Sequence, residues 1–213
     1  MKVILVGATT ICGKISPVGH GSLLDRRRLE DIRDKTHASI MGANTLRLEN
    51  PEMRGTNGTL PPDRIRSIIS QSGSVPIKGK KLFKHGPKPV VFTSRKNIFT
   101  VQGKIKDKAQ VTSLPQGPYG LSLQAAIDFL AEKGVESLLI EGGAKLNYSA
   151  LAQGLVDEIM LTIMPFISGE QNGPAFADGP KYLGNPFLEL ELLSCESVST
   201  GEVFLHYRTK KTE

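Results

Sequence analysis

The residues best placed to do chemistry lie in one stretch, Ser137-Leu138-Leu139-Ile140-Glu141-Gly142-Gly143-Ala144-Lys145-Leu146-Asn147. An apolar run ends in a carboxylate, two glycines follow, and a helix-like segment then continues to about Gly154. The change of period marks a buried strand turning into a helix. Backbone amides at such a turn lack intrahelical acceptors and carry the positive end of the helix dipole. Glycine lets a ligand phosphate approach that backbone closely. Glu141 stands at the carboxyl end of the strand, where open α/β sheets place their ligands. A purely structural turn would use the same residues, so this stretch alone leaves both readings open.

Other stretches offer polar groups at comparable points. Gly7-Ala8-Thr9-Thr10-Ile11-Cys12-Gly13-Lys14 follows an apolar run. It is no P-loop, because the glycines are one residue too far apart and Ile15 replaces the Ser/Thr that would follow the lysine. Lys14 remains a candidate for a phosphate or a polar substrate, although a solvated lysine is commoner. Gly42-Ala43-Asn44-Thr45 repeats the strand–glycine–polar–helix junction, and two such junctions point more strongly to a nucleotide cradle than one. Ser70-Gln71-Ser72-Gly73 ends another strand with hydroxyls and no acid. An NAD-selective site would offer a carboxylate to the ribose 2′-hydroxyl there, whereas hydroxyls are compatible with a 2′-phosphate.

The elements that must position these groups follow from periodicity. Val3–Val6, His37–Met41, Ile65–Ser70, Val90–Thr93, Gln110–Thr112 and Ser137–Ile140 read as short strands. Ser22-Leu23-Leu24-Asp25 has a capping-box form and opens a helix through Lys35 with Leu29 and Ile32 on one face. In it Arg26, Arg27 and Arg28 read as a solvated basic face, and Arg33 points along the strand ends. Ser122 caps an amphipathic helix with Leu123, Ala126, Ile127 and Leu130 on one side and Gly134 as its stop. Residues 51–63 are rich in Pro and Gly and read as a surface loop, a candidate substrate flap. The alternation then breaks: Ile159–Ile167 is a long apolar strand, 168–186 an excursion, and Leu188–Ser197 with Glu202–Tyr207 a hairpin turned at Ser199-Thr200-Gly201. The expected fold is α/β, a mixed, mostly parallel sheet flanked by helices with a C-terminal antiparallel hairpin. No repeat or linker divides the chain, so residues 1–213 are expected to form a single domain.

Composition narrows the partners. With a net charge of +6, the chain favours anionic ligands. The lysines at 78, 80, 81 and 84 have few aromatic neighbours on which bases could stack, which argues for a solvated loop and no nucleic acid. Cys12 and Cys195 are isolated, imply no metal site, and fit a reducing cytoplasm. No run approaches the ~20 apolar residues of a membrane helix.

The Glu141–Asn147 stretch, Gly154-Leu155-Val156-Asp157-Glu158 and Pro165-Phe166-Ile167-Ser168-Gly169 resemble the pyrimidine reductases of riboflavin biosynthesis. Gly13-Lys14-Ile15, Gly42-Ala43-Asn44-Thr45 and Glu49-Asn50-Pro51 resemble the same family in the same order, and the likeness covers essentially the whole chain. It implies a three-layer dihydrofolate-reductase-like fold. It also implies NADPH-dependent reduction of the ribosylamino side chain of a (di)aminopyrimidine 5′-phosphate to ribitylamino. Hydride would pass from the nicotinamide to C1′ of the ring-opened imine. The H-x-E and P-C-x-x-C elements of the zinc deaminase fused to many bacterial forms are absent. The likeness is therefore to free-standing archaeal and fungal forms, which are homodimers.

By resemblance, Thr45, Glu49, Ser70, Gly142, Gly143, Ala144, Lys145, Leu146 and Asn147 hold the cofactor. Arg33, Met53, Arg54 and Glu141 contact the substrate. Glu141 is the first candidate for orienting or protonating it and Lys14 the second. The chain departs from the family where Cys12 replaces an Asp before Gly-Lys, where Glu49 replaces Asp, and in a short segment between Lys14 and Ser22. Two other readings stand beside this one: a dihydrofolate-reductase-like enzyme for a pterin or another imine or carbonyl, and a non-catalytic nucleotide-binding regulator.

Overall fold

β-branched and aliphatic runs bounded by Gly, Pro and polar clusters set the strands. The computed structural model describes residues 1–15 and 21–210; most of the short segment after Lys14 lies outside these. In chain order the elements are β1 (Lys2–Thr10), α1 (Leu23–Asp34), β2 (Ala38–Gly42), α2 (Ala43–Glu49), β3 (Ile65–Ser70) and β4 (Val90–Ser94). Next come α3 (Ile98–Ile105), β5 (Gln110–Leu114), the two-residue strands β6 (Gln116–Gly117) and β7 (Gly120–Leu121), and α4 (Leu123–Ala131). β8 (Ser137–Ile140), α5 (Ala144–Ala152), β9 (Glu158–Met164), β10 (Leu190–Ser197) and β11 (Val203–Thr209) complete the chain.

The chain divides into two compact units. One holds Leu29–Leu139. In it β2, β3, β4 and β5 pair in that order, all parallel, with β8 on the other side of β2. Met41, Leu46, Met53, Ile68, Leu82, Val101 and Ile105 form one packed core, and Phe92 meets Phe129 edge to face at 5.4 Å. Ser122 caps α4 as its sequence requires, its hydroxyl accepting from the Ala125 amide at 3.2 Å.

The other unit holds Lys2–Arg28 and Ile140–Glu213. β1 pairs parallel to β9 from Ile4 opposite Glu158 to Thr10 opposite Met164. β11 then adds antiparallel to β9, and β10 antiparallel to β11. β1 therefore runs four residues past the expected Val6, through Gly7. A Cβ on Gly7 would stand 2.8 Å from the Phe176 ring, so this glycine seats an aromatic side chain. β9 stops at Met164, before Pro165, and leaves Ile167 exposed.

Arg28 departs from the solvated face expected of Arg26–Arg28. Its guanidinium donates to the carbonyls of Leu161 and Leu205 and to the Thr162 hydroxyl. It also lies 4.7 Å from the centre of the Phe204 ring. Burial holds it below its ordinary pKa, against the pull of Asp25 and Glu196. Asp25 shares the cluster: burial raises its carboxyl above the usual range although Thr162 hydrogen-bonds to it and Arg28 is near.

Candidate active site

In the second unit the strand-to-helix turn has the conformation its glycines allow. Gly142 and Gly143 sit at φ 93° and 104°, values that L side chains avoid. Gly143 caps α5, and its carbonyl accepts the amides of Leu146 at 2.8 Å and Asn147 at 3.0 Å. The amides of Ala144 and Lys145, in the first turn, have no intrahelical acceptor. Nothing lies within 4 Å of where a Cβ on Gly142 would stand. Glu141, 9% exposed, is set immediately before this opening.

Asn147 is buried to 1% exposure, and its amide nitrogen donates to the Phe176 carbonyl at 2.7 Å. Its Oδ1 has no hydrogen-bond partner among the described residues. An open glycine backbone, free first-turn amides and a buried unpaired acceptor together fit a dinucleotide with a pyrophosphate and an amide-bearing ring. The start of α5 is tied down by the Asp178 amide, which donates to the Ala144 carbonyl at 3.1 Å.

Lys14 stands on the hairpin-like turn after β1. Its ammonium donates to the carbonyls of Gly173 at 2.8 Å and Gln171 at 3.2 Å, which ties the 168–175 loop to the turn. Cys12 lies on the same turn. Its thiol is 3.2 Å from the Thr10 hydroxyl and accepts from the Ser168 amide at 3.4 Å. The Thr10 hydroxyl first, then the amides of Gly169 and Ser168, lower this exposed thiol to about 7.

In the first unit, Thr45 is half-buried and Glu49 exposed on α2, whose end is closed by Asn50 in the left-handed region. Arg33, Met53 and Arg54 come together there. The Arg33 guanidinium donates to the Arg54 carbonyl at 2.9 Å, and Arg54 pairs with Glu30 at 3.4 Å and Glu52 at 3.8 Å. Met53 is 1% exposed inside the core, with its backbone at φ 58°. Its side chain thus plugs the 51–63 loop into the hydrophobic cluster. Ser70 ends β3, buried, with its carbonyl bonded to the Thr93 hydroxyl at 2.9 Å.

Sequence reasoning passed over the end of β4, where Ser94-Arg95-Lys96-Asn97 lies beside Ser70–Gly73. The signal was a hydroxyl and two cations directly after a strand. Separately, a cavity of about 490 Å3 in the second unit is lined by Tyr148, Leu161, Phe176, Tyr182, Phe187 and Tyr207 among others. None of the candidate site residues lines it.

The fold is that of a dihydrofolate-reductase-like α/β protein. The crystal structure of a pyrimidine reductase-like protein from Corynebacterium diphtheriae superposes with a TM-score of 0.80, covering 99% of this chain and 92% of that one at 23% identity. The chain belongs to the RibD C-terminal domain family, whose sequence profile matches residues 1–204. It is similar to the 2,5-diamino-6-ribosylamino-4(3H)-pyrimidinone 5′-phosphate reductase of Methanothermobacter thermautotrophicus, 28% identical over 183 residues and 83% of each chain. The protein of the same description from Aquifex aeolicus is 29% identical over 190 residues, covering 83% of this chain and 82% of its own.

Proposed function

We propose that the chain is an NADPH-dependent reductase that converts the ribosylamino side chain of a (di)aminopyrimidine 5′-phosphate to ribitylamino in riboflavin biosynthesis. The observation that carries this is the Glu141-Gly142-Gly143 turn: a buried carboxylate beside an open, glycine-permitted backbone at a helix start, in a chain of the RibD C-terminal domain family. Residues 1–213 act as one reductase domain, cytoplasmic and homodimeric.

Bound NADPH supplies the hydride. The chain's own residues bind and align. Thr45, Glu49, Ser70 and Gly142–Asn147 would hold the cofactor, with the amides of Ala144 and Lys145 available to its phosphates. Asn147 Oδ1, otherwise unpaired, offers an acceptor to an amide N–H. Arg33 and Met53 act on the substrate by fixing the loop that presents Arg54. Glu141 orients the substrate and supplies the proton as the sugar opens. Lys14, bonded to two loop carbonyls, shapes the site through the 168–175 loop. Positioning accounts for most of the rate.

Steady-state turnover of purified protein with NADPH tests this. The substrates are 2,5-diamino-6-ribosylamino-4(3H)-pyrimidinone 5′-phosphate, its deaminated counterpart and dihydrofolate. Turnover of either pyrimidine is expected. Turnover of dihydrofolate alone supports the pterin reading. Cofactor binding with no turnover supports a regulator, the reading that Cys12 in place of the family's Asp favours.

A further inference from the structure

The positive charge of the chain is unevenly spread. Residues 64–127 contain twelve Lys and Arg and a single acid, Asp107, so the rest of the chain is net acidic although the whole carries +6. Arg64 and Arg66 are buried. Five of the exposed lysines fall at one end of the first unit. β4 and β5 are parallel, with Val90 opposite Gln110, and the Gln110 amide donates to the Pro89 carbonyl at 3.0 Å. Lys88 and Lys108 therefore stand side by side, each two residues before its strand. Lys104 lies in the last turn of α3 and Lys106 caps it, just before β5. Lys84 precedes a segment pinned near the start of β3 by Arg66, which donates to the His85 carbonyl at 2.8 Å and to that of Pro87. This is the amino end of β3, β4 and β5, opposite to the end that Ser70 occupies.

All five lysines are exposed, and among the described residues none has an ion pair. The nearby Glu52 is taken by His85 and Arg54. In the second unit, Glu158 is paired with Lys2 and His206, Glu191 with Arg208 and Glu189 with Lys210. The dipole of α3 asks for a cation in its last turn, which Lys104 supplies; the other four are not explained that way. Lys106 is held at φ 55° and ψ −125°, a conformation that suits glycine and strains a side chain. Strain of this kind is kept where the residue has a use.

We propose that Lys84, Lys88, Lys104, Lys106 and Lys108 dock an acidic segment of a partner protein, a run of Asp and Glu. The surroundings of the lysines decide among polyanions. Phe83, the one aromatic ring in residues 78–88 and 104–108, packs on the core, so bases find no platform. No large apolar side chain is exposed in these segments to enter a membrane. Lysine heads are point charges on flexible stems and suit the carboxylates of a mobile chain, whereas phosphate favours the arginine fork. A second copy of the chain is a poor match, because the acids of its second unit named above are already paired. This surface goes beyond the reductase reading and does not depend on it.

Fluorescence anisotropy of the full chain with a labelled oligoglutamate peptide tests the proposal, with urea midpoints confirming that each variant is folded. Binding is expected, and it should weaken steeply as salt rises from ~0.01 to ~0.15 M. Lys104→Gln with Lys106→Gln and Lys108→Gln should weaken it by about tenfold or more. Arg26→Gln with Arg27→Gln and Lys35→Gln removes the same charge from other exposed positions and should leave affinity nearly unchanged. Lys106→Gly should raise the urea midpoint and weaken the peptide, because strain and charge leave together. Equal losses in the two triple variants would mean that net charge alone is read, and would overturn the proposal. So would an absence of binding, displacement of the peptide by NADPH, or tighter binding of a uridine oligomer or of phosphatidylserine vesicles. Salt-sensitive self-association that the lysine triple variant abolishes would assign the surface to a second copy and overturn it too.

Discussion

Gly143 holds φ at 104°, where any side chain is strained by ~1–3 kcal/mol. Gly142 shares the strain but faces open space, so a methyl there meets nothing in the protein itself. If a pyrophosphate lies against this turn, Gly142→Ala and Gly143→Val should weaken NADPH binding by more than their loss of stability explains. Affinity measured on the folded fraction, beside the urea midpoint, separates the two effects; unchanged affinity in folded variants would place the cofactor elsewhere. Cys12 gives a pH-dependent prediction. Its neutral thiol loses its proton near pH 7 because the Thr10 hydroxyl and the Gly169 and Ser168 amides favour the thiolate. Iodoacetamide reacts with the thiolate, so alkylation at Cys12 should rise with pH through a midpoint near 7, and Thr10→Val should move that midpoint upward. Peptide mass mapping against pH reads it, and a wild-type midpoint near that of an ordinary thiol would refute the assignment. The turn at the glycine pair and the strand end at Ser70 were legible because an apolar run stops there at glycine or at a polar cluster. The plug formed by Met53 was not, since a buried methionine in a Pro/Gly-rich loop has no periodic neighbours to reveal it.

At the scale of elements, period was a good guide wherever one face is continuously buried. α4 and β3 lie where their patterns put them because each presents a regular apolar stripe or run. α3 was not legible: Ile98-Phe99-Thr100-Val101-Gln102-Gly103-Lys104-Ile105 carries a glycine and β-branched residues that favour helix poorly. It buries Val101 and Ile105, one turn apart, and leaves Phe99 82% exposed. Tertiary packing of that pair overrides propensity. Arg28 shows the same limit on α1, since nothing local distinguishes it from Arg26 or Arg27; its partners come from β9 and β11, far along the chain. Arg28→Ala removes three hydrogen bonds and a cation–π contact, and should cost about 1–3 kcal/mol at neutral pH. The sign of its pH dependence follows from Asp25, whose pKa is raised in the folded protein by burial. Asp25 therefore favours folding below its ordinary pKa and loses that contribution as pH rises through the folded value. Arg28 offsets the charge that then appears, so the penalty of Arg28→Ala should shrink toward acid pH. Urea midpoints across pH for wild type and variant check it, and a penalty independent of pH would remove Asp25 from the account.

For the whole molecule, the open question is what covers the apolar side chains of the second unit. The long apolar strand β9 is paired on both sides, by β1 and β11, so it has no edge to offer a second copy. The exposed groups lie further on. Tyr182 and Phe187 are 79% and 77% exposed at the rim of the 490 Å3 cavity, and Leu190 and Leu192 follow on β10. β10 pairs with β11 alone among the described strands, leaving a strand edge beside these side chains. Large apolar side chains beside an unpaired edge are a liability in a monomer and an asset at an interface between identical copies. A homodimer that buries them is the expected state, so light scattering at micromolar concentration should give about twice the 23.1 kDa of the chain. Tyr182→Glu with Phe187→Glu should lower the mass to that of one chain while the urea transition stays cooperative, because neither side chain belongs to the buried core. A wild-type mass near 23.1 kDa would refute the dimer, and a double variant that remains dimeric would move the interface away from this face.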